Sequence, residues 1–163
     1  MPCRKPVGGP AVARVVATIG GLGRAPVAPG TIGSLVGLAV AWSLLRAPLV
    51  LQASVMTLLT VVGFWAAVTM YHALEMKDPP VVIVDEAVGM VIATFALPPD
   101  LLGFPVVAFL LFRLLDVWKP APIRWLEALP GGIGIMADDI GAGLLTNGLC
   151  QLWVWLGKGW PWS

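Results

Sequence analysis

The sequence predicts an all-α fold, a compact multi-helix integral membrane bundle of about five helices forming one domain over residues 1–163. Three observations predict it. Hydrophobic residues make up 58% of the chain and charged residues only 12%, and the mean hydropathy is +0.89, well above that of soluble domains. The apolar residues fall in runs of helical length separated by Gly/Pro-rich or polar breaks. One of these runs, 49–74, exceeds the ~20 residues needed to cross a bilayer core.

The same composition excludes several classes. The net charge is +1 and the ten basic residues are scattered, so no basic stripe exists to bind nucleic acid. Two cysteines, Cys3 and Cys150, sit at opposite ends of the chain and imply no disulfide framework. The N-terminal apolar segment is broken by Gly8, Gly9, Pro10 and Arg14, which argues against a cleaved signal peptide. Residues 11–19 read as a short interfacial segment.

Residues 20–34 form a Gly/Pro-rich loop that offers Thr31 as the N-cap of the first main helix, expected to run to about Arg46. Ala47-Pro48 ends that helix, and the second runs from Leu49 to Leu74. A polar loop, Glu75 to Pro80, follows. The third run, Val81 to Leu97, opens with Asp85 and Glu86, stops at Pro98-Pro99 and is short for a span. The fourth, Leu101 to Trp118, carries Arg113, Asp116 and Lys119 at spacings of three, so that Arg113 and Asp116 share a helix face; Pro120 stops it. Residues 120–134 read as a connector. The fifth helix is expected from about Ile135 to Leu156, with Asp138 and Asp139 in its first turns. Gly141, Gly143 and Gly148 on this helix permit close backbone approach in lipid.

Alternating five helices up and down brings Thr31 and Ser34, Asp85 and Glu86, Arg113 to Lys119, and Asp138 with Asp139 to one membrane face. Arg4, Lys5, Arg14, Arg24, Lys77, Arg113, Lys119 and Arg124 fall on that side, and only Arg46 and Lys158 on the other. By the positive-inside rule the motif face is cytoplasmic. The protein is therefore expected in the inner (cytoplasmic) membrane, multi-pass, with its site facing the cytoplasm.

Gathering Asp85, Glu86, Asp116, Asp138 and Asp139 costs repulsion unless cations neutralise them. Hard oxygen ligands suit Mg²⁺, which keeps waters and takes phosphate oxygens as further ligands. Arg113 and Lys119 suit phosphate recognition, and the helix start at Gly30 to Ser34 offers amides, the Thr31 and Ser34 hydroxyls and a positive dipole end to an anion. Metal-assisted phosphoryl transfer at the lipid headgroup level fits this set. Taken singly each motif has a plainer reading, as an N-cap or a capped acidic helix start; their convergence favours a site. A cysteine-nucleophile route is closed because neither cysteine precedes an Arg by six residues, and a phosphohistidine route because His72 stands alone. The Trp residues read as interfacial belts: Trp118 and Trp125 at one face, Trp153, Trp155, Trp160 and Trp162 at the other.

Four blocks together carry a resemblance. They are Ala28-Pro29-Gly30-Thr31-x-Gly33-Ser34, Val84-Asp85-Glu86-Ala87-Val88-Gly89-Met90, Phe112-Arg113-x-x-Asp116-x-Trp118-Lys119-Pro120, and Gly131-Gly132-Ile133-Gly134-Ile135-Met136-Ala137-Asp138-Asp139. In this order the chain resembles the phosphatidylglycerophosphatase A family over roughly residues 16–147. The resemblance implies a compact all-helical, Mg²⁺-dependent membrane phosphatase that converts phosphatidylglycerophosphate to phosphatidylglycerol and phosphate. Asp85, Glu86, Asp116, Asp138 and Asp139 would be catalytic and hold the metal; Thr31, Ser34, Arg113 and Lys119 would bind the phosphate. The chain departs from the family pattern at Pro130, where His is usual, and at Val81, where an acid is usual. The alternative class is a small polytopic cation or proton transporter using the same carboxylates, which would place them near the bilayer midplane.

Overall fold

A computed structural model describes residues 9–76, 79–99, 103–130 and 132–158. Cys3, Arg4, Lys5, Lys77, Asp100, Leu101, Gly131, Trp160 and Trp162 lie outside the described residues. The described chain is all-α: α1 (Ala11–Ala17), a 3₁₀ turn (Leu22–Arg24), α2 (Pro29–Leu44), α3 (Leu49–Leu74), α4 (Val84–Ala93), α5 (Phe104–Trp118), α6 (Ala121–Glu127) and α7 (Ile133–Lys158).

Seven α-helices are described against an expectation of about five: α2, α3, α4, α5 and α7 fall on the expected runs, and α1 and α6 are additional. The interfacial segment folds as α1. The connector contains α6 because its prolines lie at the helix entrance, where a missing N–H costs nothing; Pro120 is the N-cap and Pro122 falls in the first turn. The start of α2 also differs from expectation. Its N-cap is Ala28, held left-handed at φ 45°, with Pro29 at N1. Thr31 is therefore inside the first turn, and its hydroxyl is not the cap.

The short helix α4 is the centre of the molecule. Val84, Val88 and Ile92, one turn apart, pack with Ala66, Ala67 and Met70 of α3 and Met136 of α7. Met90 and Ala93, on another face, pack with Ala108, Phe112 and Leu115 of α5 and Ala142 of α7. Glycines admit the neighbouring helices. A Cβ at Gly37 of α2 would lie 2.4 Å from the Ala87 carbonyl oxygen, and one at Gly143 of α7 would lie 2.4 Å from that of Gly89. Gly143 thus does what the sequence expected of it, Gly141 packs against Leu126 of α6, and Gly148 meets nothing.

The last carbonyls of a ten-residue helix surrounded by others, and those of the turn after it, need partners. The Thr94 hydroxyl donates to the Met90 and Val91 carbonyls at 3.0 and 3.1 Å, and side chains from α7 serve the rest of the corner: Asn147 donates to Ala93 at 3.2 Å and to Phe95, just past the helix, at 2.7 Å, and Gln151 donates to Ala96 at 3.0 Å. On the other side, the Ala96 N–H donates to Gln52 Oε1 of α3 at 3.2 Å. Replacing Asn147 by Leu strands the Ala93 carbonyl and should cost about 1–3 kcal/mol, read as a lower midpoint of thermal unfolding in detergent.

Among the described residues one helix, α3, with 26 residues, is long and apolar enough to cross a membrane. Only 11% of its apolar window is buried inside the protein. Leu110, Leu114 and Val117 of α5 and Leu152, Trp153 and Leu156 of α7 are exposed as well, leaving apolar surface on several sides.

Candidate active site

Four helix ends meet at one end of α4. The first turns of α2 bring Gly30 and Ser34, the first turn of α4 brings Asp85 and Glu86, and the end of α5 brings Arg113, Asp116 and Lys119. Near its start α7 brings Asp138 and Asp139. The convergence expected from the sequence is present, but the five carboxylates do not form one uniform cluster.

Asp85, Glu86 and Asp139 form the inner group. One carboxylate oxygen from each lies within 4.8 Å of the other two. Asp85 and Asp139 are each 4% exposed, while Glu86 is half-buried and forms the accessible side of the group. Burial pushes the Asp85 carboxyl well above its ordinary range, and the adjoining Glu86 and Asp139 add to the rise. Burial raises Glu86 too, with Asp116 contributing, against the lowering effects of the Asp85 hydrogen bond and Arg113. Two oxygens here, Glu86 Oε2 and Asp139 Oδ1, are buried without a hydrogen-bond partner. Buried polar atoms are ordinarily satisfied, and a hard divalent cation satisfies both these oxygens while removing the repulsion. The residues present fit such an ion.

The outer two carboxylates are held by bases. Arg113 Nη1 donates to Asp116 Oδ2 at 2.5 Å, on the helix face that their spacing of three makes common, and to the Ser34 hydroxyl at 3.4 Å. Ser34, fully buried, in turn donates to the Gly30 carbonyl at 3.0 Å. Lys119 ends α5 in the left-handed conformation at φ 47° and bridges Asp138 at 2.7 Å and Glu127 at 3.2 Å. Burial lowers the Lys119 pKa, but these two carboxylates outweigh it and raise the ammonium above its ordinary value.

Thr31 lies in the first turn of α2, half-buried, between Gly30 and Ser34. Two partners escaped the sequence reading. Glu127 reaches Lys119 from α6, a helix read as a connector. Gly30 abuts Glu86 so closely that a Cβ there would lie 2.2 Å from Oε1 and 3.5 Å from Arg113 Nη1. The signal for Gly30 was its place in the Gly30, Gly33, Gly37 stripe; nothing local could have revealed what the stripe faces. Of the two departures from the family pattern, Val81 presents its carbonyl to Gly23 in the 3₁₀ turn, and Pro130 is exposed beside the start of α7.

An all-helical protein with a carboxylate triad that could hold a cation, next to an arginine and a lysine, has the groups that phosphoryl chemistry uses. Comparison with known proteins gives the family. Residues 15–154 match the family described as Phosphatidylglycerophosphatase A. The Phosphatidylglycerophosphatase A of Escherichia coli is 34% identical over 142 residues, covering 86% of this chain and 81% of that protein. Its namesake from Haemophilus influenzae is 35% identical over 117 residues, 69% of this chain and 71% of that protein. A Bacteroides thetaiotaomicron protein named "Putative phosphatidylinositol-3-phosphatase" is 36% identical over 147 residues, 83% and 89% of the two chains. No solved structure matches. The chain belongs to the phosphatidylglycerophosphatase A family and is a phosphatase. The transporter reading is not favoured.

Proposed function

We propose that this protein removes the terminal phosphomonoester of phosphatidylglycerophosphate, giving phosphatidylglycerol and phosphate, as a Mg²⁺-dependent step of phospholipid biosynthesis. The observation that carries the reading is the inner group of Asp85, Glu86 and Asp139, with its two orphaned oxygens beside Arg113. These three residues would hold the ion. When bound, Mg²⁺ supplies charge neutralisation and Lewis acidity toward phosphate oxygens.

The protein's own groups do the rest. Arg113 presents a planar fork suited to two phosphoryl oxygens, and the Ser34 hydroxyl beside it fixes the direction of that fork. Lys119 adds a point charge. Arg113 and Lys119 are paired with Asp116 and Asp138; substrate phosphate would compete with these two carboxylates for the bases, and Asp116 and Asp138 would join the inner three in the catalytic and metal-holding set. The first turn of α2, with Thr31 and the dipole end of the helix, lies against the same anion. The exposed apolar flanks and α3 are consistent with a multi-pass position in the cytoplasmic membrane, and the distribution of Arg and Lys is consistent with a cytoplasmic site.

Thr31→Asp separates helix-making from phosphate binding. An acid in the first turn suits the helix dipole, so folding should survive, while the added negative charge repels substrate phosphate and phosphate release should fall at least ~10-fold. Thr31→Ser should remain active.

The test of the function is phosphate release by purified protein from phosphatidylglycerophosphate and from phosphatidylinositol 3-phosphate, with Mg²⁺ and with EDTA. Rapid Mg²⁺-dependent release from the first is expected. Preference for the second would favour the chemistry named for the Bacteroides relative. Release unaffected by EDTA would remove the metal from the account.

A further inference from the structure

Beside the acidic site runs an apolar groove of about 260 Å³ between α1, α2, α3 and α4, walled only by Val, Ile, Leu, Ala and Gly. On α4 it is lined from Val84 to Val91, a run of about 10 Å at ~1.5 Å per residue. Val84 stands in the same first turn of α4 as Asp85 and Glu86, which project from other sides of the helix, so the groove reaches the turn that carries the acids. On α2 it is lined by Val36, Gly37 and Val40, further along the helix whose first turns bring Gly30 and Ser34 to the acids.

We propose that this groove holds one acyl chain of the lipid substrate, leaving the headgroup phosphate at the Arg113 end. The assignment rests on the phosphatase reading above. No polar side chain lines the groove, so water has no partners there, and apolar cavities take apolar guests. Its volume lies below the ~300–1,000 Å³ of ordinary small-molecule sites and suits a chain of methylenes. A helix from a partner, ~10–12 Å across with its side chains, is too wide for it. Continuity with the site completes the case: a lipid lying along α4 places its ester end at Val84 and its phosphate beyond, at the acids and Arg113. The bare outer face of α3, including Leu58 and Val61, 62% and 63% exposed, offers contrast as surface that ordinary bilayer lipid would cover.

The test uses phosphatidylglycerophosphate with a photoactivatable diazirine near the end of one acyl chain, in phosphatidylcholine vesicles containing the whole protein. Phosphate release is measured before irradiation and adducts are mapped by peptide mass afterwards. Adducts are expected on Val36, Val40 or Leu59, displaced by excess unlabelled phosphatidylglycerophosphate but not by phosphatidylcholine. Adducts confined to Leu58 and Val61, or indifferent to that competition, would overturn the groove even where phosphate is released. Groove adducts without phosphate release would uphold the groove and count against the phosphatase reading.

A filling variant gives a second readout. Val40→Phe should raise KM for the dipalmitoyl substrate about tenfold, as expected for losing the burial of two methylenes. It should leave kcat/KM for the dihexanoyl substrate unchanged. An unchanged KM for the dipalmitoyl lipid would contradict the proposal.

Discussion

Replacing Asp139 by Asn is expected to lower phosphate release by about 100-fold or more, because loss of even an outer partner of a metal ligand costs ~10–100-fold. The substitution keeps size and shape, so what it removes is one negative charge from a buried group of three. Asp139 Oδ1 has no hydrogen-bond partner, and its side chain makes no ion pair that the change would break among those in the outer ring. The fold should therefore survive, and relief of repulsion with Asp85 and Glu86 should leave the cation-free protein at least as stable as wild type. Activity and stability then move in opposite directions. A purely structural aspartate would lose both together, so parallel loss in the assay and in thermal unfolding would count against the site. Near wild-type turnover would remove Asp139 from it.

The second large effect is expected at Gly30. A Cβ at this position would lie 2.2 Å from Glu86 Oε1. That oxygen ends a flexible side chain, so Gly30→Ala can be accommodated by swinging Glu86 away, at the expense of its place beside Asp85 and Asp139. Activity should fall roughly 10–100-fold, on the scale of a displaced ligand shell, while helix content and unfolding midpoint change little. Gly33 provides the contrast. A Cβ there would lie 2.5 Å from the Ile83 carbonyl oxygen, a backbone atom that cannot swing aside, so Gly33→Ala should destabilise by about 1–3 kcal/mol through overpacking. Circular dichroism and phosphate release measured on both variants distinguish the two effects. Equal loss of folding in both would show that Gly30 serves packing alone.

The all-α class was legible in the sequence because it is written locally, and the candidate site residues could be picked out as local motifs. Apolar runs between breakers located α2, α3, α4, α5 and α7, and the common helix face of Arg113 and Asp116 followed from their spacing. Two local signals were open to another meaning. Pro29 and Pro120 were read as loop residues, but proline is also a good first or capping residue of a helix. Thr31 consequently looked like a cap and α6 looked like a connector. What was not legible depends on contacts between distant segments. Nothing near Asp138 says that Lys119 holds it, and nothing near Asp116 says that Arg113 keeps it out of the inner group while touching Ser34. The sequence therefore gathered five equivalent carboxylates where the structure has three together and two paired with bases. The central position of α4 was hidden for the same reason. Its brevity argued against a span, and Asn147, Gln151 and Gln52, from two other helices, help explain how so short a helix ends in apolar surroundings.

Divalent-cation binding to the purified protein tests the inner group most directly. In a titration with Mn²⁺, a spectroscopic stand-in for Mg²⁺, followed by the loss of free-ion electron paramagnetic resonance signal, wild type should show saturable binding. That binding should be displaced by excess Mg²⁺ and lost in Asp139→Asn. Absence of saturable binding to wild type, or equal binding by the two proteins, would contradict the assignment of Asp85, Glu86 and Asp139 as the group that holds the ion.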